Sequence, residues 1–172
     1  MRTLQLMFQH NEWANRRVMD VVARFDPALL SAVAMGTSGS IDQTIKHLVG
    51  VEDIYLLTIT GRDFSAFGSQ EAYFGHDLDW FRARVEALGP AYSALLDAED
   101  DRLLERPLVI PWINAPLTVR EGLIQVLAHS AQHRAQILST LGDRGHTVPA
   151  TDYVVMRLES QATTEADQTA KA

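Results

Sequence analysis

Four stretches of the chain repeat apolar residues at the spacing of one helix face. In 3–25, Leu4, Met7, Phe8, Ala14, Val18, Met19, Val22 and Phe25 share an arc, and Pro27 closes the run. Ser40 is placed to cap a second helix over 41–59, whose arc holds Ile41, Ile45, Leu48, Val49, Tyr55, Leu56 and Ile59. A third stretch, 78–98, offers Trp80, Phe81, Val85, Leu88, Tyr92 and Leu96 as core, with Gly89-Pro90 expected to kink or break it. The fourth, 118–142, starts with the capping box Thr118/Glu121, stops at Gly142, and lines up Val119, Leu123, Val126, Leu127, Ile137, Leu138 and Leu141.

The connections carry no such periodicity. Residues 26–40 end in small, turn-forming types, and 60–76 is a loop with three glycines and the aromatics Phe64, Phe67, Tyr73 and Phe74. In 102–118 three prolines surround short β-branched runs, which reads as a small hairpin or extended loop. A turn and a short helix over 151–158 follow the fourth long helix, and the stretch from Glu159 has almost no large apolar residue. This predicts an all-α chain with one domain over 1–158 and a polar tail over 159–172.

Several polar residues fall where the pattern calls for apolar ones. Asn11 and Asn15 lie inside the arc of the first helix, either as a polar bridge between helices or as the lining of a polar cavity. Glu52 projects from the middle of the second arc and Arg134 from that of the fourth helix. Pairing the two is the cheapest way to bury both. The alternatives are that Arg134 snorkels to water or that Glu52 is a metal ligand or base. His129 and His133, four apart, leave the fourth helix on one side, at the polar border of its apolar arc. His47 lies off the flank of the second arc in the same manner. Gln132 and Gln136 share the histidines' side of the helix and are placed to orient a ligand or a ring nitrogen. His10, His76 and His146 have no partner at a telling spacing and read as surface or loop residues. Leu6 and Trp13, two turns apart on the polar face of the first helix, need a cover, either a subunit contact or the chain's own 60–76 loop or short C-terminal helix.

Composition narrows the function. A net charge of −7 without a basic run argues against a nucleic-acid surface. The absence of cysteine removes disulfides, thiolate ligands and a cysteine nucleophile. The first residues are too polar for a signal sequence, and no stretch approaches a membrane span, so the cytoplasm is the expected location.

The segments HNEWANRR at 10–17, IKHLVGVEDIYL at 45–56 and VLAHSAQHRAQILSTL at 126–141 resemble the DinB family of damage-inducible metalloenzymes, and the likeness runs on to TDYVVMRL at 151–158. The resemblance implies a four-helix bundle in up-down-down-up order, which the long 60–76 connection suits as a parallel crossover. It implies that His47, His129 and His133 hold one divalent metal. The polar residues singled out above, Asn11, Asn15, Glu52, Gln132, Arg134 and Gln136, are then the candidates for a surrounding layer or pocket. Three imidazoles leave a coordination position open, as in catalytic zinc sites, and also suit nickel, iron or copper. The implied function is a metal-dependent enzyme acting on a small molecule, either as a thiol transferase using a low-molecular-weight thiol or as a hydrolase. The competing class is a bundle that binds metal or ligand without turnover. Relatives of this kind also imply a homodimer, which would supply the cover for Leu6 and Trp13.

Overall fold

The computed structural model describes residues 2–37, 39–98, 101–110 and 112–169. The chain opens with helix α1 (Arg2–Val22), then a single helical turn α2 (Pro27–Leu30) capped by the Asp26 side chain, then α3 (Ile41–Ile59). A 3-10 turn (Phe64–Phe67) and the short helix α4 (Gln70–Gly75) lead to α5 (Leu78–Ala98) and α6 (Asp101–Glu105). Two-residue strands β1 (Pro107–Leu108) and β2 (Leu117–Thr118) precede α7 (Val119–Asp143) and α8 (Tyr153–Thr169). The caps expected for the two central helices are both present as full capping boxes, Ser40/Gln43 on α3 and Thr118/Glu121 on α7.

Side-chain pairs along the helices give their directions. Gln5 reaches Asp97, Arg16 pairs with Glu86 and Asp20 with Arg82, so α1 and α5 are antiparallel. His47 packs edge-on against His133 and Glu52 meets Ser130, while Tyr55 lies against Gly122, so α3 and α7 are antiparallel too. Lys46 lies over Phe81 and the Tyr92 hydroxyl donates to the Glu52 carbonyl, so α3 and α5 run the same way. The result is a four-helix bundle in up-down-down-up order, with the 60–76 segment as the crossover between the parallel pair. Tyr55, Phe81, Tyr92, Ile45, Leu88 and Leu123 fill its centre at 2% exposure or less.

The details depart from the sequence reading in five places. The first helix stops at Val22, and Phe25 turns away to pack against the His146 ring, 4.6 Å between centroids. The crossover is not a plain loop, because Tyr73 donates to Asp53 Oδ2 at 2.6 Å and Arg84 grips the same buried carboxylate. Pro90 does not break α5: it and Glu86, whose carbonyl loses its helical donor, both face solvent, where water can replace the missing N–H. The expected hairpin is reduced to two antiparallel pairs, Pro107 with Thr118 and Leu108 with Leu117. The final helix continues past Leu158 to Thr169, into what reads as tail; residues 170–172 lie outside the described residues.

That longer helix also covers Trp13. Its indole N–H donates to Glu159 Oε2 at 3.2 Å, and Arg17 lies over the ring while pairing with Glu159 at 2.7 Å. His10 is likewise no free surface residue: its Nε2 stands 2.7 Å from the Thr151 carbonyl at the start of α8. Of the two expected covers for Trp13, the structure shows the one from within the chain, the C-terminal helix. Among the described residues no helix is long and apolar enough to cross a membrane.

Candidate metal centre

The site is built where α3 and α7 run side by side. His129 and His133 leave α7 one turn apart, and His47 faces them from α3. The three Nε2 atoms converge: that of His129 lies 3.1 Å from His47 Nε2 and 3.0 Å from His133 Nε2. Two neutral imidazoles share at most one proton between such atoms, so without a cation the three Nε2 atoms have at best one shared, bifurcated hydrogen bond. Tetrahedral ligands at ~2.0–2.1 Å from a zinc ion stand ~3.3 Å apart, close to the gaps observed. The donor set therefore fits a divalent metal held by three imidazoles. Among the described residues no carboxylate joins the group.

The outer ring nitrogens differ in support. His133 Nδ1 lies 2.6 Å from Gln136 Oε1, so it carries the proton and leaves Nε2 with its lone pair. Gln136 is itself fixed from behind, its Nε2 donating to the Gly36 carbonyl at 3.1 Å. That carbonyl is presented by a turn in which Gly36 takes φ +74°, the left-handed region that favours glycine. The turn is tied to α7 a second time, by Met35 N–H donating to Thr140 Oγ1 at 2.7 Å. His129 Nδ1, in contrast, is buried without a hydrogen-bond partner. Burial, reinforced by His133 and His47, pushes the His129 imidazole down to about 3. Burial and His133 also lower that of His47. Both effects favour the neutral, ligating form.

Two cavities open from the histidines. One, of about 360 Å³, is bordered by His47 and His129, and the other, of about 920 Å³, by His47 and His133. Gln132 lines the larger one, while Gln136 both lines it and holds His133.

The remaining expected pocket residues sit one layer deeper and line neither of these cavities. Asn11 and Asn15 each donate through Nδ2 to Glu52 Oε1 at 2.8 Å. Each accepts through Oδ1 from Arg134, at 2.6 and 2.7 Å. The Ser130 hydroxyl donates to the same Glu52 oxygen at 2.5 Å. The expected direct pairing of Glu52 with Arg134 is thus replaced by a bridged one, because two α1 side chains stand between the charges and satisfy both. The asparagines thus form the polar bridge between helices, and neither lines the two cavities beside the histidines. Burial pushes the Glu52 carboxyl up, against the opposing pull of Ser130, Asn11, Asn15 and Arg134. It pushes the Arg134 guanidinium down to about 10.

Sequence reasoning missed Ser130, Thr140, Gly36 and the Asp53–Tyr73–Arg84 cluster. Ser130 and Thr140 are helix-interior hydroxyls with no pattern signal, and Gly36 read only as part of a turn. Asp53 had a signal, as an acid embedded in an apolar helix beside Glu52, but nothing in the sequence pointed to Tyr73 or Arg84.

The comparisons agree with this architecture. YfiT from Bacillus subtilis, described as a probable metal-dependent hydrolase with an unusual four-helix bundle topology, superposes with a TM-score of 0.66 at 18% identity, covering 82% of this chain and 87% of its own. A DinB-like protein of Bacillus subtilis, YjoA, gives 0.63 at 17% identity over 85% and 97% of the two chains. A DinB-like protein of Bacillus cereus gives 0.66 at 18% over 87% and 96%. At such identities the likeness establishes the fold. No curated protein matches the chain. The model of the DinB family, however, matches residues 1–167, nearly the whole sequence, and the chain belongs to that family.

Proposed function

We propose that this protein is a metal-dependent enzyme acting on a small molecule, with His47, His129 and His133 as the ligands of one divalent ion, zinc first among the candidates. The observation that carries the reading is the convergence of three Nε2 atoms, with gaps of 3.0 and 3.1 Å, at the junction of two cavities. Such an ion, when bound, supplies Lewis acidity toward a water, a thiol or a substrate carbonyl. The chain's part is to bring three imidazoles together, to fix the His133 ring through Gln136, and to leave the cavity side of the ligands open. Hydrolysis is the leading reaction, supported by the description of the structurally similar YfiT as a probable metal-dependent hydrolase. Thiol transfer is the second reading. The cavity beside His133 is large and lined by Thr37, Asp42, Gln43, Lys46 and Gln132, which suits the hydrophilic body of a low-molecular-weight thiol.

The test starts with metal analysis of the purified protein and a Co²⁺ titration followed by visible absorption. One ion per chain and a four-coordinate spectrum are expected, both lost in His129→Ala. The loaded protein is then assayed on ester and amide substrates with and without added thiols. Turnover without thiol supports hydrolysis, and strict thiol dependence supports transfer. Metal binding with no turnover on any substrate would favour the non-catalytic alternative. Failure of the wild type to bind any divalent ion would defeat the proposal.

A further inference from the structure

The two cavities beside the histidines differ in character. The smaller, about 360 Å³, is walled by Val51, Ile54, Phe64, Phe74, Trp112 and Ile113, and no Asp, Glu, Lys or Arg is among its described lining residues. The larger one has Asp42, Lys46 and three glutamines in its wall. Phe74 borders both and acts as the partition.

That partition is held from several directions. The neighbouring Tyr73 is fixed through its hydroxyl to buried Asp53 at 2.6 Å, and Lys46 Nζ donates to the Phe74 carbonyl at 3.3 Å. The Phe74 ring lies against Gly50, one turn beyond His47 on α3: a Cβ built on Gly50 would stand 3.2 Å from Phe74 Cζ. Gly50 is therefore the floor on which the ring rests, and a larger residue there displaces the ring or fills the chamber. Trp112 is 57% exposed at the rim. Apolar area of this kind, gathered around a concave site, is what a complementary ligand group covers.

We propose that the chamber over Gly50 is a subsite for an aryl or branched-alkyl group of the substrate. It places that group beside His47 and His129, with the substrate's polar part on the Gln132–Gln136 side. The role at a reacting bond rests on the metal-centre reading above; the apolar binding itself does not. A cavity of roughly 150 Å³ accepts benzene, so this chamber has room for a phenyl ring and a short linker. A charged group is disfavoured, because the described wall offers it no Asp, Glu, Lys or Arg as an ion-pair partner and its polar groups are few: Tyr55, Gln70, Gln125 and the two histidines.

Two measurements decide it. In the first, isotope-labelled, metal-free protein is titrated with benzyl alcohol and, as control, glycerol, and followed by NMR. Benzyl alcohol is expected to shift the Gly50 amide, the Trp112 indole and the Gln125 side-chain amide, and glycerol to shift none of them. Gly50→Val and, independently, the rim variant Trp112→Ala should lose these shifts; should the valine variant misfold, the rim variant still decides. In the second, Co²⁺-loaded protein is titrated with benzohydroxamate and acetohydroxamate, which share the metal-binding group and differ in the apolar one. Benzohydroxamate should bind at least about tenfold more tightly, and the preference should collapse in Gly50→Val. Shifts confined to another surface, or equal affinity for the two hydroxamates, would overturn the proposal. A protein that takes up no Co²⁺ defeats the metal-centre reading, while the benzyl alcohol titration still decides the subsite.

Discussion

At the scale of single residues, the chemistry depends on groups that satisfy two partners at once. Gln136 links the His133 ring to the Gly36 carbonyl, and Asn11 and Asn15 link Glu52 to Arg134. Gln136→Met keeps the volume but removes the acceptor for His133 Nδ1. Metal affinity should fall by about 10–100-fold, read by competition with a calibrated chelator, while the circular dichroism spectrum stays that of wild type. An unchanged affinity would show that the glutamine does not orient the ring. Arg134→Met strands two asparagine carbonyls and leaves Glu52 without a positive neighbour. It should cost ~3–5 kcal/mol in chemical denaturation. Glu52→Gln should cost less, since an amide oxygen still accepts from Asn11, Asn15 and Ser130. If the two variants are equally stable, the charge on Arg134 contributes little. Asn11, Asn15, Glu52 and Arg134 were legible as polar residues on apolar arcs; Ser130 was not. Their connectivity was not, because a helical arc gives the angle of a side chain about its own axis and says nothing of what faces it across 8–10 Å of interhelical space.

At the scale of elements, the four long helices were readable because periodicity, caps and breakers agreed. The ends and the covers were less so. Phe25 continues the apolar arc of α1 yet leaves the helix, because Pro27 and the Asp26 cap start a new turn immediately after it. The last helix was read as ending where apolar residues end. Where the continuation begins, Glu159 is tied to Trp13 and Arg17 of α1, and tertiary contact of this kind has no local signature. Close approach of elements is carried by glycines that the pattern scarcely marks. At Gly122 on α7 an added Cβ would stand 2.3 Å from Leu108 Cδ2 and 3.3 Å from the Tyr55 ring, both buried. Helix propensity alone would make Gly122→Ala stabilising by ~1 kcal/mol. Here the sign should reverse, because α7 must move off β1 and α3, at a cost of about 1–3 kcal/mol for overpacking. A lowered denaturation midpoint is the expected result. A raised one would mean that Leu108 swings aside freely and that the hairpin is not locked onto α7.

At the scale of the whole molecule, the site and the stability of the fold are the same equilibrium seen from two sides. Holding His129 neutral, with its imidazole pushed down to about 3, has a sign that can be worked out. An unfolded chain takes up that proton near the ordinary value of ~6.5, whereas the native state does not until about 3. Between these limits the unfolded state binds more protons, so the stability of the metal-free protein falls as pH falls, and the lowered His47 acts in the same direction. The raised Glu52 carboxyl opposes this at the acid end, since its native state holds a proton that an unfolded chain releases. Subtracting curves of variants from wild type is therefore the informative measurement. The wild-type Tm should drop more steeply from pH 7 to 5 than that of His129→Ala, and parallel curves would show that the imidazole is not held neutral in the fold. A bound ion enters the same balance. At ~100 times its Kd it adds ~2.7 kcal/mol, and ~1 kcal/mol moves the Tm of a chain this size by about 2–4 °C. Loading wild type with Zn²⁺ should then raise its Tm by about 5–10 °C. A chelator should reverse the gain. His129→Ala should show neither gain nor reversal. Equal Zn²⁺ stabilisation of wild type and His129→Ala would place the ion elsewhere on the protein and leave the three histidines as a packed, metal-free cluster.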